Sequence, residues 1–247
     1  MTAAMTAATA APMATAGLAI FVKTPGHSPL KTRLAAGIGR EAAEAFHRLA
    51  VAAVAEVARA AQAQRPGLCV YWAVAEASAL DDALWRDFPV LAQGEGDLGA
   101  RMRTVCDRLR ATHGRALLIG ADAPQLIAGD LCDACDALDT QPCVLGPSED
   151  GGFWLLGTCA ALPEAVWRHT PWSQPDTAAR FLAHAGMPAV ARLRSLRDVD
   201  TAEDLPALAA ALDALPDPLP AQRRLRAWLA DAALDGTGRH PAHAALD

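Results

Sequence analysis

Short apolar runs that end abruptly in glycine, proline or a carboxylate alternate with amphipathic helical stretches along most of this chain, and that alternation leaves few folds open. GLAIFV (17–22) stops at Lys-Thr-Pro-Gly, LCVYWAV (68–74) opens after Pro66-Gly67, ALLIG (116–120) meets Ala-Asp-Ala-Pro, and CVLGP and FWLLG flank a Glu-Asp-Gly-Gly turn. Between them, residues 40–64 carry Phe46, Leu49, Ala50, Val54 and Val57 at helical spacing. Residues 98–113 place Leu98, Met102, Val105 and Leu109 on one face and close at Gly114, and a further helix is expected over about 128–138. Buried strands alternating with helices predict an α/β fold: a mainly parallel sheet with helices on both faces, and ligands beyond the carboxyl ends of the strands.

Composition removes several classes. The net charge is −6, and no extended Lys/Arg run supplies the footprint of a nucleic-acid binder. No apolar stretch reaches the roughly 18 to 20 residues of a membrane span. The opening MTAAMTAATAAPMATA lacks the charged and strongly apolar parts of a signal peptide, so residues 1–16 read as a disordered leader. Six cysteines without an export signal read as reduced thiols, which predicts the cytoplasm. Cys132 and Cys135 form a C-x-x-C within a helix, with no second pair to complete a zinc site. One domain is expected over 17–213, followed by a proline-bearing helical tail, 214–247, read as an appendage.

Four loops carry candidate chemistry, and each has a plain structural alternative. KTPGHSPLKTRL (23–34) places Lys23, Lys31 and Arg33 around a Gly/Pro loop that can wrap a polyphosphate or be a solvated basic loop; neither a Walker A nor a G-x-G-x-x-G pattern is present. LLIGADAP (117–124) sets Asp122 at a strand end, where it can hold a hard cation or cap an Asx turn. In LGPSEDGGFWLLG (145–157), Asp150 lies beside Gly151 and Gly152, either a close-approach site or a hairpin turn. QGEGDLGARM (93–102) offers Asp97 as a helix cap and Arg101 as a contact for phosphate or carboxylate. WRHTPWSQPDT adds Trp172, able to wall a sugar or base, and Ser173. Thr201 and Asp204 of DVDTAEDL have capping-box spacing.

Taken in order, FVKTPGHSPLKTRL, GDLGARM, LLIGADAP, LGPSEDGGFWLLG, PWS and DVDTAEDL resemble a small bacterial glycosyltransferase-A-type (GT-A) family, described as uncharacterised or as arsenosugar-biosynthesis glycosyltransferases, over about residues 17–205. More distantly the chain resembles 2-phospho-L-lactate guanylyltransferase and the molybdenum-cofactor nucleotidyltransferases. The resemblance implies a single Rossmann-like nucleotide-diphospho-sugar transferase domain that takes a nucleotide-activated donor, a small-molecule acceptor and Mg²⁺ or Mn²⁺. By it, Lys23, Lys31, Arg33, Arg101, Gly151 and Gly152 face phosphate, and Asp122 and Asp150 face metal. Asp150 and Asp97 are catalytic candidates, and Phe153, Trp172 and Ser173 form an acceptor pocket. The usual D-x-D pair is reduced to Asp122 after Ala121, so Asp150 is the expected second ligand, and Phe153-Trp154 replaces the family's more common tyrosines. The expected reaction is sugar transfer from a nucleotide diphosphate to a hydroxyl. Alternatives are nucleotidyl transfer with pyrophosphate release, and a nucleotide-binding regulator without catalysis.

Overall fold

The computed structural model describes residues 15–187 and 189–234. The expected leader, residues 15 and 16 aside, lies outside them, as does the end of the tail. β1 (Ala16–Val22), β2 (Leu68–Val74), β3 (Val90–Ala92), β4 (Ala116–Ile119), β5 (Cys143–Pro147), β6 (Phe153–Thr158) and β7 (Ala191–Arg192) form one seven-stranded sheet in the order β3-β2-β1-β4-β6-β5-β7. β6 is antiparallel to both β4 and β5, and the other pairings are parallel. The single reversal arises because the short turn after β5 can only send the chain back beside it, whereas parallel neighbours need a crossover.

The expected two-sided covering is present. Side chains alternate along β1: Leu18 and Ile20 pack on Val54, Val57, Ala58 and Ala61 of α2 (Arg40–Gln64, after α1, Thr32–Ile38), while Ala19 faces the opposite layer. That second layer is built by Met102, Val105, Cys106 and Leu109 of α3 (Leu98–His113), with Val166 and Trp167 of α5 (Glu164–His169) and Phe181 of α6 (Thr177–Ala185); α4 (Ala128–Thr140) covers the first face beside α2. The alanines of α2 let it be buried on two sides. Its Ala43, Phe46, Ala50 and Ala53 form a third apolar cluster with Leu34, with Leu208 and Leu212 of α7 (Leu205–Asp213) and with Ala221, Leu225 and Leu229 of α8 (Pro220–Leu234). The tail expected to be an appendage is therefore, over Pro220–Leu234, part of the domain's packing. Its apolar stripe at helical spacing is buried against α2 rather than left in water.

Candidate functional site

Every strand except β6 directs its carboxyl end to one edge of the sheet, and a cleft of about 970 Å³ opens there, within the size range of small-molecule sites. Its wall gathers Lys23, Lys31, Arg33, Arg101, Asp122, Asp150, Gly152, Phe153, Trp172 and Ser173 from five separate stretches of sequence. Gly151 and Asp97 are not on that wall.

The loop after β1 is fixed from below. Thr24 N donates to Glu76 Oε2 at 2.9 Å, Ser28 Oγ donates to Glu76 Oε1, and Trp85 Nε1 donates to Thr24 Oγ1 at 3.2 Å. Lys23 stays exposed, its Nζ donating to Pro29 O at 3.2 Å. Lys31 is different. It occupies a left-handed backbone conformation (φ 46°), and its side chain, only 7% exposed, reaches Asp122 Oδ1 at 2.7 Å, donates to Val199 O and lies 5.7 Å from the centre of the Phe46 ring. Arg33 pairs with Asp200 at 2.6 Å. The two cations read as phosphate ligands thus neutralise carboxylates in this state. Asp122 makes no side-chain hydrogen bond to local backbone among the described residues, so it is not an Asx cap here; its charge faces Lys31.

The carboxylates of the cleft come from the middle and the later part of the chain. Asp150 sits in the turn between β5 and β6, where Oδ1 accepts from Gly152 N at 2.9 Å; one oxygen serves the turn and the other has no hydrogen-bond partner among the described residues. Asp198 and Asp200, which the motif reading passed over, flank the buried Val199, whose N–H donates to Asp122 O at 2.9 Å. Asp204 Oδ2 accepts from Asp200 N, Thr201 N and Thr201 Oγ1 at 3.0, 2.9 and 3.0 Å, which realises the capping box and fixes the turn that presents the two aspartates. Burial, then repulsion from Asp122, pushes the Asp198 carboxyl up to about 7, against a 2.9 Å hydrogen bond from Ser148 Oγ, with Asp150 and Asp200 adding to the rise. Burial also raises Asp200, against the pull of Lys31 and Arg33. Next to Asp122, His47 donates from Nε2 to Lys23 O at 3.0 Å, and burial lowers its pKa, keeping the ring neutral. The sequence did hold a signal for the missing pair: Asp-Val-Asp is itself a D-x-D.

Asp97 accepts from Ala100 N at 2.9 Å as the cap of α3, and Arg101 Nε donates to Gly96 O at 3.0 Å. Two motif glycines serve one loop. A side chain on Gly99 would collide with Trp172 Nε1 and Trp167 O, and one on Gly151, at φ 87°, would collide with the carbonyl of Pro175. Gly151 therefore makes room for the chain between α5 and α6 rather than for a ligand. That segment presents Trp172, which stacks on Trp167 with centroids 6.5 Å apart and meets Phe153 edge-on at 6.3 Å, and Ser173, held at φ 59°.

Among the described residues, no three His, Cys, Asp or Glu side chains converge as a preformed metal cage. The donor set nevertheless fits Mg²⁺ or Mn²⁺. These hard ions take oxygen, and Mg²⁺ in nucleotide sites is commonly held by one or two carboxylates plus substrate phosphates. Burial, with Asp122 next to it, pushes the Asp198 carboxyl up to about 7, and a cation would offset the part due to Asp122. Asp122 and one further carboxylate of the cleft, Asp198, Asp200 or Asp150, would hold it together with substrate phosphates. Among the described residues, no helix is long and apolar enough to cross a membrane.

Comparison with known proteins agrees with this architecture. No curated protein sequence matches the chain. A solved structure from Desulfovibrio desulfuricans G20, provisionally named a nucleotide-diphospho-sugar transferase, superposes with a TM-score of 0.76 at 22% identity, over 89% of this chain and 97% of that one. The bifunctional IspDF of Campylobacter jejuni gives 0.52 at 10% identity, over 78% and 53%. The 4-diphosphocytidyl-2C-methyl-D-erythritol synthase of Anaerococcus prevotii DSM 20548 gives 0.50 at 8% identity, over 87% and 96%. The fold shared with these structures is a single α/β domain with a mainly parallel sheet covered by helices on both faces. Residues 53–174 match a family model described as an uncharacterized protein conserved in bacteria (DUF2064).

Proposed function

We propose that this chain is a transferase acting on a nucleotide-activated donor, most simply a nucleotide-diphospho-sugar whose sugar passes to the hydroxyl of a small acceptor. One observation carries the reading: cations on the loop after β1 and carboxylates from β4, the β5–β6 turn and the 198–200 segment meet in one cleft at the sheet edge. That is the arrangement a diphosphate and a divalent ion need. The ion, when bound, stabilises the negative charge that grows on the departing diphosphate.

The chain's own groups then have assigned work. Lys31 and Arg33, paired here with Asp122 and Asp200, would neutralise the phosphates if a cation shared those carboxylates; Lys23 and Arg101 add positive charge in the same cleft. Asp150, with one oxygen fixed by Gly152 N and the other open, accepts the proton of the attacking hydroxyl. Phe153 and Trp172 give the acceptor an apolar wall, with Ser173 as a polar contact. Asp97 contributes by capping α3, which carries Arg101.

Nucleotidyl transfer uses the same electrostatics, and the names of the Campylobacter and Anaerococcus proteins favour it. Incubating the protein with nucleotide-diphospho-sugars or nucleoside triphosphates, small hydroxyl and phosphate acceptors and Mg²⁺ or Mn²⁺ separates the two. Free nucleoside diphosphate marks sugar transfer and pyrophosphate marks nucleotidyl transfer. A protein that binds nucleotide and releases neither across such a panel is a binding protein, and the transferase reading falls.

A further inference from the structure

We infer that Gln93 is a specificity-determining residue of the cleft: it presents a fixed hydrogen-bond acceptor to the N–H edge of a nucleobase. This rests on the nucleotide reading above and adds where the base lies and what reads it. Gln93 follows the edge strand β3, and its backbone N–H donates to Val74 O at 3.0 Å, extending the sheet by one residue. The side chain folds across the ends of two strands, with Nε2 donating to Val22 O at 3.2 Å and to Ala73 O at 2.9 Å. Both partners are main-chain carbonyls, which only accept, so the amide cannot be turned around; an Oε1 in that place would face two acceptors. Both amide protons are spent.

Oε1 has no hydrogen-bond donor among the described residues, yet it is not among their buried unpartnered atoms, although the residue as a whole is only 5% exposed. The small part of Gln93 that meets solvent therefore includes this oxygen, and Gln93 lines the cleft. The loop that follows turns at Gly94 and Gly96, which hold φ of 84° and 97°. Arg101, whose Nε donates to Gly96 O, also lines the cleft and has no carboxylate partner among the described residues. A rigid acceptor matches a heterocycle that shows an N–H at its edge.

Strand order places Gln93 correctly for a nucleotide. Gln93 bridges the ends of β1 and β2, the basic loop follows β1, and Asp122 follows β4 on the far side of β1. At about 4.8 Å between strands, β2 and β4 are roughly 10 Å apart. Base acceptor, phosphate cations and carboxylates thus lie in that order along one edge.

The test is calorimetric titration of the full chain with pyrophosphate and with ATP, GTP, CTP and UTP, each with Mg²⁺. The wild type is expected to bind pyrophosphate and to prefer one or two bases by about ten-fold or more, the order expected when a recognition hydrogen bond is lost. An analogue of the preferred nucleotide, methylated at the base N–H, should bind the wild type about ten-fold more weakly. Gln93→Leu should bind the two forms alike and keep its pyrophosphate affinity. Because Gln93→Leu also strips two strand-end carbonyls of their donor, the methylated analogue on the wild-type chain carries the test even if the variant fails to fold. Pyrophosphate binding with all four bases and the methylated analogue within two-fold overturns the role of Gln93 and leaves the phosphate site standing. Absence of both pyrophosphate and nucleotide binding overturns the nucleotide reading and this inference with it.

Discussion

Replacing Asp198 with asparagine should stabilise the metal-free protein, and by an amount that depends on pH in a way only this site dictates. In the folded chain the carboxyl is pushed up to about 7 by burial and by Asp122, whereas in the unfolded chain it titrates near 3.9. Between about pH 4 and 7 the folded state therefore holds a proton that the unfolded state has released. Stability must then fall as pH rises through that window, with a limiting slope of about 1.4 kcal/mol per pH unit. Over about three units that bounds the effect near 4 kcal/mol. Solvent screening and proton sharing with Asp122, Asp150 and Asp200 bring the expectation to about 2 kcal/mol. Asparagine keeps the shape and the acceptor for Ser148 Oγ but never ionises. In thermal unfolding with a chelator present, the variant's advantage in Tm should be small at pH 4.5, grow through pH 7 and level off above it, reaching about 4–8 °C at 2–4 °C per kcal/mol. Tm curves that run parallel across the range, or an advantage that shrinks with rising pH, would refute the carboxylate cluster as described.

Gly151→Ala should lower Tm by about 5 °C or more, because the new methyl meets the Pro175 carbonyl and the φ of 87° disfavours a side chain by about 1–2 kcal/mol on its own; a change below 1 °C contradicts that packing. Arg33→Ala should weaken nucleotide binding by about 1.5–3 kcal/mol if the guanidinium leaves Asp200 for phosphate, and calorimetry showing unchanged affinity puts the phosphate elsewhere. Asp150→Asn should preserve nucleotide affinity and cut turnover by roughly 10² to 10⁴ once donor and acceptor are identified; full turnover reduces Asp150 to a turn residue. Burial raises the Cys106 and Cys143 thiols to about 12 and Cys135 to about 11, so a thiol reagent at pH 8 should reach these three only after denaturation, and rapid native reaction of all six cysteines would contradict the core.

The chain's local patterning determined much of the architecture. Periodicity placed α2 at Arg40–Gln64 and the strand Leu68–Val74, Gly114 closed α3 in the left-handed region at φ 77°, and the strand-helix alternation implied a mainly parallel sheet covered on both faces. These features follow from neighbours in sequence, whose spacing alone decides which face is apolar. The loops flagged for chemistry also converge on one cleft, because strands that run parallel deliver their following loops to the same edge. What the sequence could not decide is which partners each charge meets. Lys31 and Asp122 are 91 positions apart, and Arg33 and Asp200 lie 167 apart, so their pairing exists only once β1 and β4 lie side by side and the 198–200 segment folds back along them. The same holds for the packing of α8 on α2, for β3 and β7, too short to show a period, and for Gly99 and Gly151, whose missing side chains matter only because a distant loop fills the space. Local chemistry chose the elements, and contacts between residues remote in sequence gave the carboxylates and cations of this cleft their charges, their partners and their work.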